Sequence, residues 1–397
     1  MKKILSIVMT MMLALGGLSG CGSAAPAEGS ADVKTEATAD VRSDGGAEGN
    51  DDKLEIVTTI FPEYDWVKSI MGEKVNEAEL TMLLDNGVDL HSYQPTAEDI
   101  LKISTCDLFI YVGGESDKWV SDALSEVVNK DQVVINLLDT LGDEVKSEEI
   151  VEGMEHDHDH EHEEGEEHED HEHDDADHDE DDHDDADHED EDHDHDDADH
   201  EDEEHDHEDE DHEHEEHEHE TDEHVWLSLE NTEVICSSIG EALKQIDPAN
   251  ADTYQKNLDN YITELDSLDN EYEKVTEESE KDTLLFGDRF PFRYFTDDYD
   301  LNYYAAFAGC SAETEASFET VVFLAKKVDE LGLSTIMTIE GTDHTLAETI
   351  KSNTTSKDQK ILSLDSMQST TSEDVASGVT YLSVMKSNLE VLKEALK

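Results

Sequence analysis

The sequence predicts an α/β protein with mainly parallel sheets, built as two domains of modest size. Two segments, residues 54–141 and 282–397, alternate short apolar runs with amphipathic runs, a pattern typical of parallel strands covered by helices. A long helical pattern at residues 249–279 lies between them. Without the N-terminal region and an acidic tract, about 275 residues remain, which suits two modest cores better than a single large one.

The first segment opens with a strand pattern at residues 54–61, which stops at Pro62. Residues 64–71 then place their apolar side chains at the three- and four-residue spacing of a helix face. The elements predicted after these alternate between strand and helix, in the order 81–84, 97–104, 107–112, 116–127 and 132–138. This alternation indicates a largely parallel sheet.

Two helices are predicted in the middle of the chain. Residues 230–245 form the first, and Asp247-Pro248 opens the second. In residues 249–279 the apolar side chains recur every three or four positions, at Tyr254, Leu258, Tyr261, Ile262, Leu265, Leu268 and Tyr272. A helix of this length would run roughly 45 Å and could join the two domains as a strut. Two shorter helices are the alternative.

The last segment repeats the alternation of strands and helices. Its predicted strands are residues 283–286, 301–307, 335–339 and 360–364. Its predicted helices are residues 318–331, which end at Gly332, then 346–352 and a long terminal helix at 372–396.

The N-terminus carries the features of a lipoprotein signal. Lys2 and Lys3 precede an apolar run that is too short to span a bilayer comfortably. The run ends in Leu18-Ser19-Gly20-Cys21, which resembles the bacterial lipobox, in which cleavage leaves a diacylated cysteine. We therefore expect residues 1–21 to be a signal peptide with Cys21 lipidated, and residues 22–52 to be a flexible tether. Membrane contact would then rest on the lipid.

Charge and histidine are concentrated in one tract. The net charge is −83, and residues 155–223 contain 45 Asp or Glu and 19 of the 22 histidines. Such low-complexity composition indicates metal binding rather than a folded core. We expect a disordered metal-binding loop at residues 147–223, with accessory zinc sites that include His156, His158, His160, His212, His214, His217 and His219. A solvated acidic spacer is the alternative.

Composition and motifs exclude several function classes. The acidic charge argues against nucleic acid as a partner, since nothing would neutralise phosphates. A metallohydrolase would commonly carry a His-Glu-x-x-His helix, and the sequence has neither this motif nor a nucleophile elbow or phosphate loop. We therefore expect no enzyme activity. Cys106, Cys236 and Cys310 show no paired spacing, so they read as small buried apolar residues rather than disulfides or ligands.

Three histidines outside the tract are the first candidates for a metal site. His91 follows a turn after a strand, His224 directly precedes Val225-Trp226-Leu227, and His344 lies in a loop after a strand. In open α/β sheets, ligands bind beyond the carboxyl ends of the strands. Imidazole combined with carboxylate suits zinc, with manganese and iron not excluded.

Several segments resemble the metal-binding lipoproteins of ABC importers, in cluster A-I and specifically its zinc branch. The resemblance covers roughly residues 54–396 apart from the acidic insertion. The matching segments are Phe61-Pro62 with Tyr64-Asp65-Trp66-Val67, His91-Ser92-Tyr93-Gln94-Pro95, His224-Val225-Trp226-Leu227-Ser228-Leu229, Phe292-Arg293-Tyr294-Phe295 and Gly378-Val379-Thr380-Tyr381-Leu382. The zinc branch also typically carries a His/Asp/Glu-rich loop in this place.

The resemblance implies two α/β lobes joined by a long rigid helix, with the metal held in the cleft between them. It places the first ligand at His91 and the second at His224. Combined with the element pattern, it gives these domains: an N-terminal lobe at 53–146, completed by 224–248 after the loop, a linking helix at 249–281 and a C-terminal lobe at 282–397.

The third and fourth ligand positions depart from the family pattern. The family usually has His or Glu where Arg289 stands in this chain, and arginine cannot bind a cation. The adjacent Asp288 is chemically able to serve, unless it pairs with Arg289 or Arg293. For the fourth position, Glu340 and His344 are alternatives.

The sequence thus predicts a lipid-anchored protein on the extracellular face of the cytoplasmic membrane that binds Zn²⁺ as transported ligand. The expected partner is an ABC permease, and a monomer is expected. A manganese- or iron-binding member of the same family is one alternative, and a transporter-independent extracellular metal buffer or adhesin is another.

Overall fold

The computed structural model describes residues 53–154, 221–311 and 316–397. The predicted signal peptide, Cys21 and the tether up to residue 52 lie outside the described residues, and so do the seven accessory histidines of the tract. Among the described helices, none combines the length and the apolar character that a membrane crossing requires.

The first lobe is built on a four-stranded parallel sheet. The strands are β1 Glu55–Thr58, β2 Glu79–Met82, β3 Leu108–Tyr111 and β4 Val133–Asn136, and they lie in the order β2-β1-β3-β4. The two central strands, β1 and β3, are largely buried and consist mainly of apolar residues, as expected for strands covered on both faces. The helices of this lobe are α1 Phe61–Met71, α2 Ala97–Thr105, α3 Val120–Ser125 and α4 Leu137–Leu141.

Two consecutive helices follow, α5 Leu229–Ile246 and α6 Ala251–Glu278. Ser228 caps α5 by accepting a hydrogen bond from Asn231 N. Helix α6 is one continuous helix of 28 residues, about 42 Å long, so the alternative of two shorter helices is wrong. Its buried side chains are Tyr254, Leu258, Tyr261, Leu265, Leu268 and Tyr272, the stripe that the sequence predicts.

The second lobe repeats the parallel arrangement. Its strands are β5 Thr283–Phe290, β6 Asn302–Ala308, β7 Thr335–Ile339 and β8 Lys360–Leu364, and they lie in the order β6-β5-β7-β8. Its helices are α7 Arg293–Asp298, α8 Phe318–Leu331, α9 Thr345–Asn353, α10 Ser372–Ser377 and α11 Tyr381–Ala395. The predicted fold class, two parallel α/β lobes joined by a long helix, is confirmed.

The single terminal helix predicted over residues 372–396 is wrong, because two helices occupy this region. Gly378 ends α10 in the left-handed conformation with φ 103°, which costs glycine little and other residues more. Thr380 then caps α11 through a reciprocal pair of hydrogen bonds with Ser383. A capping box of this kind marks a helix start.

The predicted loop at residues 147–223 lies partly within the described structure. Residues 147–154 and 221–223 are described, and Ser147 and Thr221 form an isolated antiparallel bridge. Met154, Asp222 and Glu223 are buried. Residues 155–220 lie outside the described residues.

Buried polar side chains tie the two lobes together at the base of the cleft. Tyr381 N donates to Asp65 Oδ2 at 2.9 Å, and the Tyr381 hydroxyl donates to Trp226 O at 2.8 Å. Trp226 Nε1 donates to Ser366 O at 2.9 Å. These bonds cross between segments far apart in sequence, so they fix α11 and the loop after β8 against the start of α5.

Asp298, at the end of α7, should make stability depend on pH. Burial raises the pKa of its carboxyl to about 7, the Ser228 hydroxyl opposes this, and Glu230 and Asp269 raise it further. The folded state therefore holds a proton that the unfolded chain loses near pH 4, so stability falls as pH rises from there to about 7. When the pH is raised from 5.5 to 8.5, the free energy of unfolding of Asp298→Asn should rise relative to that of the wild type by on the order of 1–2 kcal/mol.

Urea unfolding of both metal-free proteins at the two pH values measures this difference. Asp300→Asn, at an exposed neighbouring position, is the matched control and should show no such gain. An Asp298→Asn advantage that is the same at both pH values would contradict the assignment.

Candidate metal centre

His91 is positioned by a short 3-10 turn at Leu90–Ser92, between β2 and α2. Asp89 caps this turn by accepting a hydrogen bond from His91 N at 3.0 Å. On the ring, Nδ1 lies 2.8 Å from Ser116 Oγ and 3.4 Å from Glu223 Oε2. These oxygen partners lie on the Nδ1 side of the ring, and Nε2 faces His224.

His224 immediately precedes a 3-10 turn at Val225–Leu227 and is fully buried. Asp222 Oδ1 lies 2.9 Å from His224 Nδ1 and also accepts from His224 N at 2.9 Å. The ring packs against Trp226, with centroids 5.3 Å apart. Burial opposes the charged imidazolium, but the Asp222 carboxylate outweighs it, so the pKa of His224 is raised above its ordinary value.

The two imidazoles meet through their remaining nitrogens, with His91 Nε2 and His224 Nε2 3.2 Å apart. A carboxylate or hydroxyl on Nδ1 favours the tautomer that carries its proton there and leaves a lone pair on Nε2. Two lone pairs facing each other at this distance repel unless a proton or a cation lies between them. The pair therefore has the chemistry and the orientation of two neighbouring ligands on one metal ion.

Cys310 completes a cluster that the sequence reasoning missed. Among the described residues, the potential ligand atoms of His91, His224 and Cys310 all lie within 4.8 Å of one another. Cys310 follows β6 in the C-terminal lobe, and its backbone N–H donates to Glu148 Oε1 at 2.9 Å. The prediction that all three cysteines are buried is confirmed for Cys106 and Cys236 but is wrong for Cys310, which is only partly buried.

Asp288 lies in β5 and points its carboxylate into its own lobe. It accepts hydrogen bonds from Arg289 N at 2.9 Å, Ile339 N at 3.3 Å and Thr342 Oγ1 at 3.0 Å. The guanidinium of Arg293 pairs instead with Glu149 at 3.2 Å. The structure therefore gives Asp288 a role in holding the loop after β7 and does not bring it into the histidine cluster.

Glu340, at the end of β7, is engaged by the loop after β8. Its carboxylate accepts from Ser366 N at 2.7 Å, Ser366 Oγ at 2.8 Å and Gln368 N at 3.1 Å. Charge-assisted hydrogen bonds of this kind hold the loop that also carries the acceptor for Trp226. In the described structure Glu340 is not a member of the cluster around His91 and His224.

His344 precedes α9 in the left-handed conformation, with φ 58°. It lines a cavity of about 780 Å³ together with Asp288 and Arg289. Its Nδ1 is buried and has no hydrogen-bond partner among the described residues. Asp89 and Ser92 of the other lobe line the same cavity, so His344 faces the space between the lobes, but it does not belong to the cluster of His91, His224 and Cys310.

Arg289, which stands where the family usually has a metal ligand, forms an ion pair across the cleft. Its Nη2 lies 2.9 Å from Asp89 Oδ2 in the other lobe, and Asp89 Oδ1 lies 4.0 Å from His91 Nε2. Burial favours the neutral acid, but His91 and Arg289 outweigh it, so the pKa of Asp89 is lowered. This ion pair joins the lobes directly beside the first candidate ligand.

The Arg289–Asp89 pair should contribute to holding the lobes together. In a double-mutant cycle of Asp89→Asn and Arg289→Met, we expect a coupling of on the order of 1 kcal/mol in the free energy of unfolding, since both side chains are partly buried. High salt should reduce this coupling. Urea unfolding at low and high salt measures it.

The exposed pair Lys393–Glu390 is the control cycle, with an expected coupling near zero. Strictly additive effects of Asp89→Asn and Arg289→Met at low salt would show that the cleft ion pair does not join the lobes.

Several residues around the cluster were missed because the sequence offers little to single them out. Asp222 and Glu223 have the same composition as the acidic tract, and only their position next to Val225-Trp226-Leu227 marks them. Glu223 Oε1 accepts from Ser116 N at 2.8 Å. Burial opposes the Glu223 carboxylate, but His91 and Ser116 outweigh it and lower its pKa. These carboxylates orient the rings and supply negative charge beside them.

Comparison with known protein families identifies one match over most of the chain. The model of the family described as zinc-uptake complex component A, periplasmic (ZnuA), matches residues 56–395. This range includes both lobes, the linking helix and every member of the cluster.

Curated relatives carry zinc-binding names. The zinc-binding protein AdcA of Streptococcus pyogenes serotype M3 is 26% identical over 345 residues, which cover 86% of this chain and 56% of AdcA. The chain thus spans little more than half the length of that relative. The high-affinity zinc uptake system protein ZnuA of Bacillus subtilis is 26% identical over 352 residues, covering 89% of this chain and 90% of ZnuA.

Solved structures show the same fold. The Zn(II)-bound ZnuA-like domain of Streptococcus pneumoniae AdcA aligns with a TM-score of 0.58 and 23% identity, covering 87% of this chain and 99% of that domain. The periplasmic zinc-binding protein TroA of Treponema pallidum aligns with a TM-score of 0.59 and 18% identity, over 87% of this chain and 99% of that one.

Proposed function

This chain belongs to the zinc-uptake complex component A family, and on that basis we propose that it is an extracellular receptor that binds Zn²⁺ and delivers it to an ABC importer. The observation that carries the proposal is the 3.2 Å approach of His91 Nε2 and His224 Nε2. Both rings have oxygen partners on Nδ1, as metal-bound histidines almost always do.

The proposed role is binding and release, without turnover. A catalytic zinc needs an open coordination position and a positioned general base. Here the carboxylates beside the rings, Asp222 and Glu223, are engaged with Nδ1 atoms on the side away from the cleft. Their position suits orientation of the ligands rather than proton transfer to a substrate.

Lipidation at Cys21 would hold the protein on the outer face of the cytoplasmic membrane, where a permease could receive the metal. The lipobox-like segment Leu18-Ser19-Gly20-Cys21 supports this part of the proposal. The permease is the proposed partner, and the protein would act as a monomer tethered beside it.

The acidic tract is proposed to collect zinc for the cleft. Its two described ends support this role. On one side Glu148 accepts a hydrogen bond from the backbone of Cys310, and on the other Asp222 holds His224. Because the tract re-enters the fold at Asp222, two residues before His224, it would keep weakly bound zinc close to the cluster through its 19 histidines.

A zinc uptake assay in the source cell tests the proposed function. Cells that lack the native protein should take up zinc under chelation when they carry the full chain, and should fail with His91→Ala at equal surface abundance. Removal of residues 155–220 alone should reduce uptake only when zinc is scarcest. Normal zinc uptake by cells that carry His91→Ala would contradict the proposal. If manganese uptake rather than zinc uptake depended on His91, manganese would be the transported metal.

A further inference from the structure

We propose that the thiolate of Cys310 is the third zinc ligand, supplied by the C-terminal lobe to the two imidazoles of the N-terminal lobe. This inference rests on the proposed function and deepens it, because it names the donor that replaces the missing family ligand. The site would then be a nitrogen and sulfur site rather than one completed by C-terminal carboxylates.

The cluster brings the three ligand atoms near the spacing of a zinc site, and the two imidazoles are already at it. The candidate ligand atoms of His91, His224 and Cys310 lie within 4.8 Å of one another. With Zn–N near 2.0–2.1 Å and Zn–S near 2.3 Å, the ligand atoms of a tetrahedral site are roughly 3.3–3.8 Å apart. The observed 3.2 Å between the two Nε2 atoms is already close to that spacing.

The backbone before Cys310 is shaped for a close approach to His224. A Cβ on Gly309 would lie 3.0 Å from His224 Cε1 and 2.8 Å from Phe290 O, so a side chain at this position would push the loop away from the ring. Glu148 fixes the next residue by accepting from Cys310 N. The small residue at 309 and the hydrogen bond to Glu148 thus place the loop after β6 close to the imidazole of His224.

The other C-terminal candidates are occupied elsewhere. The carboxylates of Asp288 and Glu340 hold loops of their own lobe through hydrogen bonds, and Arg289 pairs with Asp89 across the cleft. Cys310 is thus the one described C-terminal side chain whose ligand atom joins both histidines within the cluster.

The proton and the charge of the proposed zinc–thiolate site can both be accounted for. Cys310 gives up its S–H proton to solvent as the Zn–S bond forms, since the thiolate is the form that binds metal. Zn²⁺ with one thiolate and two neutral imidazoles carries a net charge of +1. The neighbouring carboxylates of Asp222, Glu223 and Glu148 offset this charge. A soft sulfur donor favours zinc over manganese, magnesium and calcium.

Cobalt substitution in the full chain tests the inference, with Co²⁺ as the spectroscopic probe for zinc. A thiolate ligand gives Co²⁺ a near-ultraviolet charge-transfer band that imidazole and carboxylate ligands do not give. Residues 155–220 contain no cysteine, so the tract cannot produce the band. We expect the band in the wild type, its loss on addition of one equivalent of Zn²⁺, and its absence in Cys310→Ser.

Zinc affinity, measured by chelator competition, supplies the second readout. Cys310→Ser should lower the zinc affinity of the tight site by more than loss of a hydrogen-bond partner of a ligand would, which is about 10–100-fold. Cys310→His should restore most of the affinity without restoring the band. Cys236→Ala, which removes a buried thiol away from the cluster, is the matched control and should keep both band and affinity.

The outcomes separate this inference from the proposed function. A wild-type cobalt complex without the band, or unchanged zinc affinity in Cys310→Ser, would overturn the assignment of Cys310 while the zinc receptor stands. Absence of any tight zinc site in the wild type would overturn the proposed function itself. Circular dichroism of each variant verifies that lost affinity does not reflect unfolding.

Discussion

Replacing His224 with alanine should abolish tight zinc binding, with a loss well beyond the about 10–100-fold expected for an outer-shell partner. The imidazole is fully buried, it faces His91 Nε2 at 3.2 Å, and its Nδ1 is held by Asp222. Alanine removes a ligand and leaves the Asp222 carboxylate buried without its ring partner. No other described imidazole lies within reach to take its place.

Competition with a zinc chelator measures this effect, in a chain that lacks residues 155–220 so that the tract does not obscure the tight site. Asp222→Asn keeps the His224 ligand but removes the carboxylate that orients it. Its zinc affinity should lie between those of the wild type and His224→Ala, about 10–100-fold below wild type. His344→Ala is the matched control, because it removes the remaining histidine of the folded region. The zinc affinity of His344→Ala should stay within about twofold of that of the wild type. A large loss of zinc affinity in His344→Ala together with little loss in His224→Ala would mean that the metal binds in the C-terminal lobe.

Replacing Trp226 with alanine should cost about 3–5 kcal/mol of unfolding free energy, a large share of the total for a typical domain. The side chain is buried and its Nε1 donates to Ser366 O. Its backbone carbonyl accepts from the Tyr381 hydroxyl. The change would open a cavity where the turn after His224 packs against the second lobe.

Chemical denaturation of the metal-free protein measures this loss, and zinc affinity should fall in the same variant because the turn that carries His224 loses its support. Trp226→Phe keeps most of the buried apolar area but leaves Ser366 O without its donor, so its cost should be smaller, roughly 1–3 kcal/mol. Equal stability of Trp226→Ala and wild type would show that this contact does not join the lobes.

Most of the fold could be predicted because its signals are local. The apolar stripe of α6 repeats over about five turns, and the predicted ends of the helix at 249 and 279 lie within two residues of Ala251–Glu278. Helix α8 coincides with the prediction, since Gly332 ends it in a left-handed conformation. The break at Gly378 was missed because apolar residues continue on both sides of it, although Gly378 and the Thr380–Ser383 pair were visible in the sequence.

The candidate site was less predictable because its members come from distant parts of the chain. His91 and His224 stood out through the resemblance and their positions beside predicted strands and turns. Cys310 had no paired cysteine to mark it, and its only local signal was the preceding glycine at the carboxyl end of a strand. The use of Arg289 depends on Asp89 in the other lobe, a contact between residues 200 positions apart that no local pattern contains.

The central claim is that one zinc ion binds tightly between the lobes, independently of the acidic tract. Calorimetric titration of zinc into a chain that lacks residues 1–21 and 155–220, but keeps Thr221, Asp222 and Glu223, tests it most directly. We expect one tight zinc site per chain, which is lost in both His91→Ala and His224→Ala. Absence of tight zinc binding in this shortened but folded chain would contradict it and would make the tract the receptor.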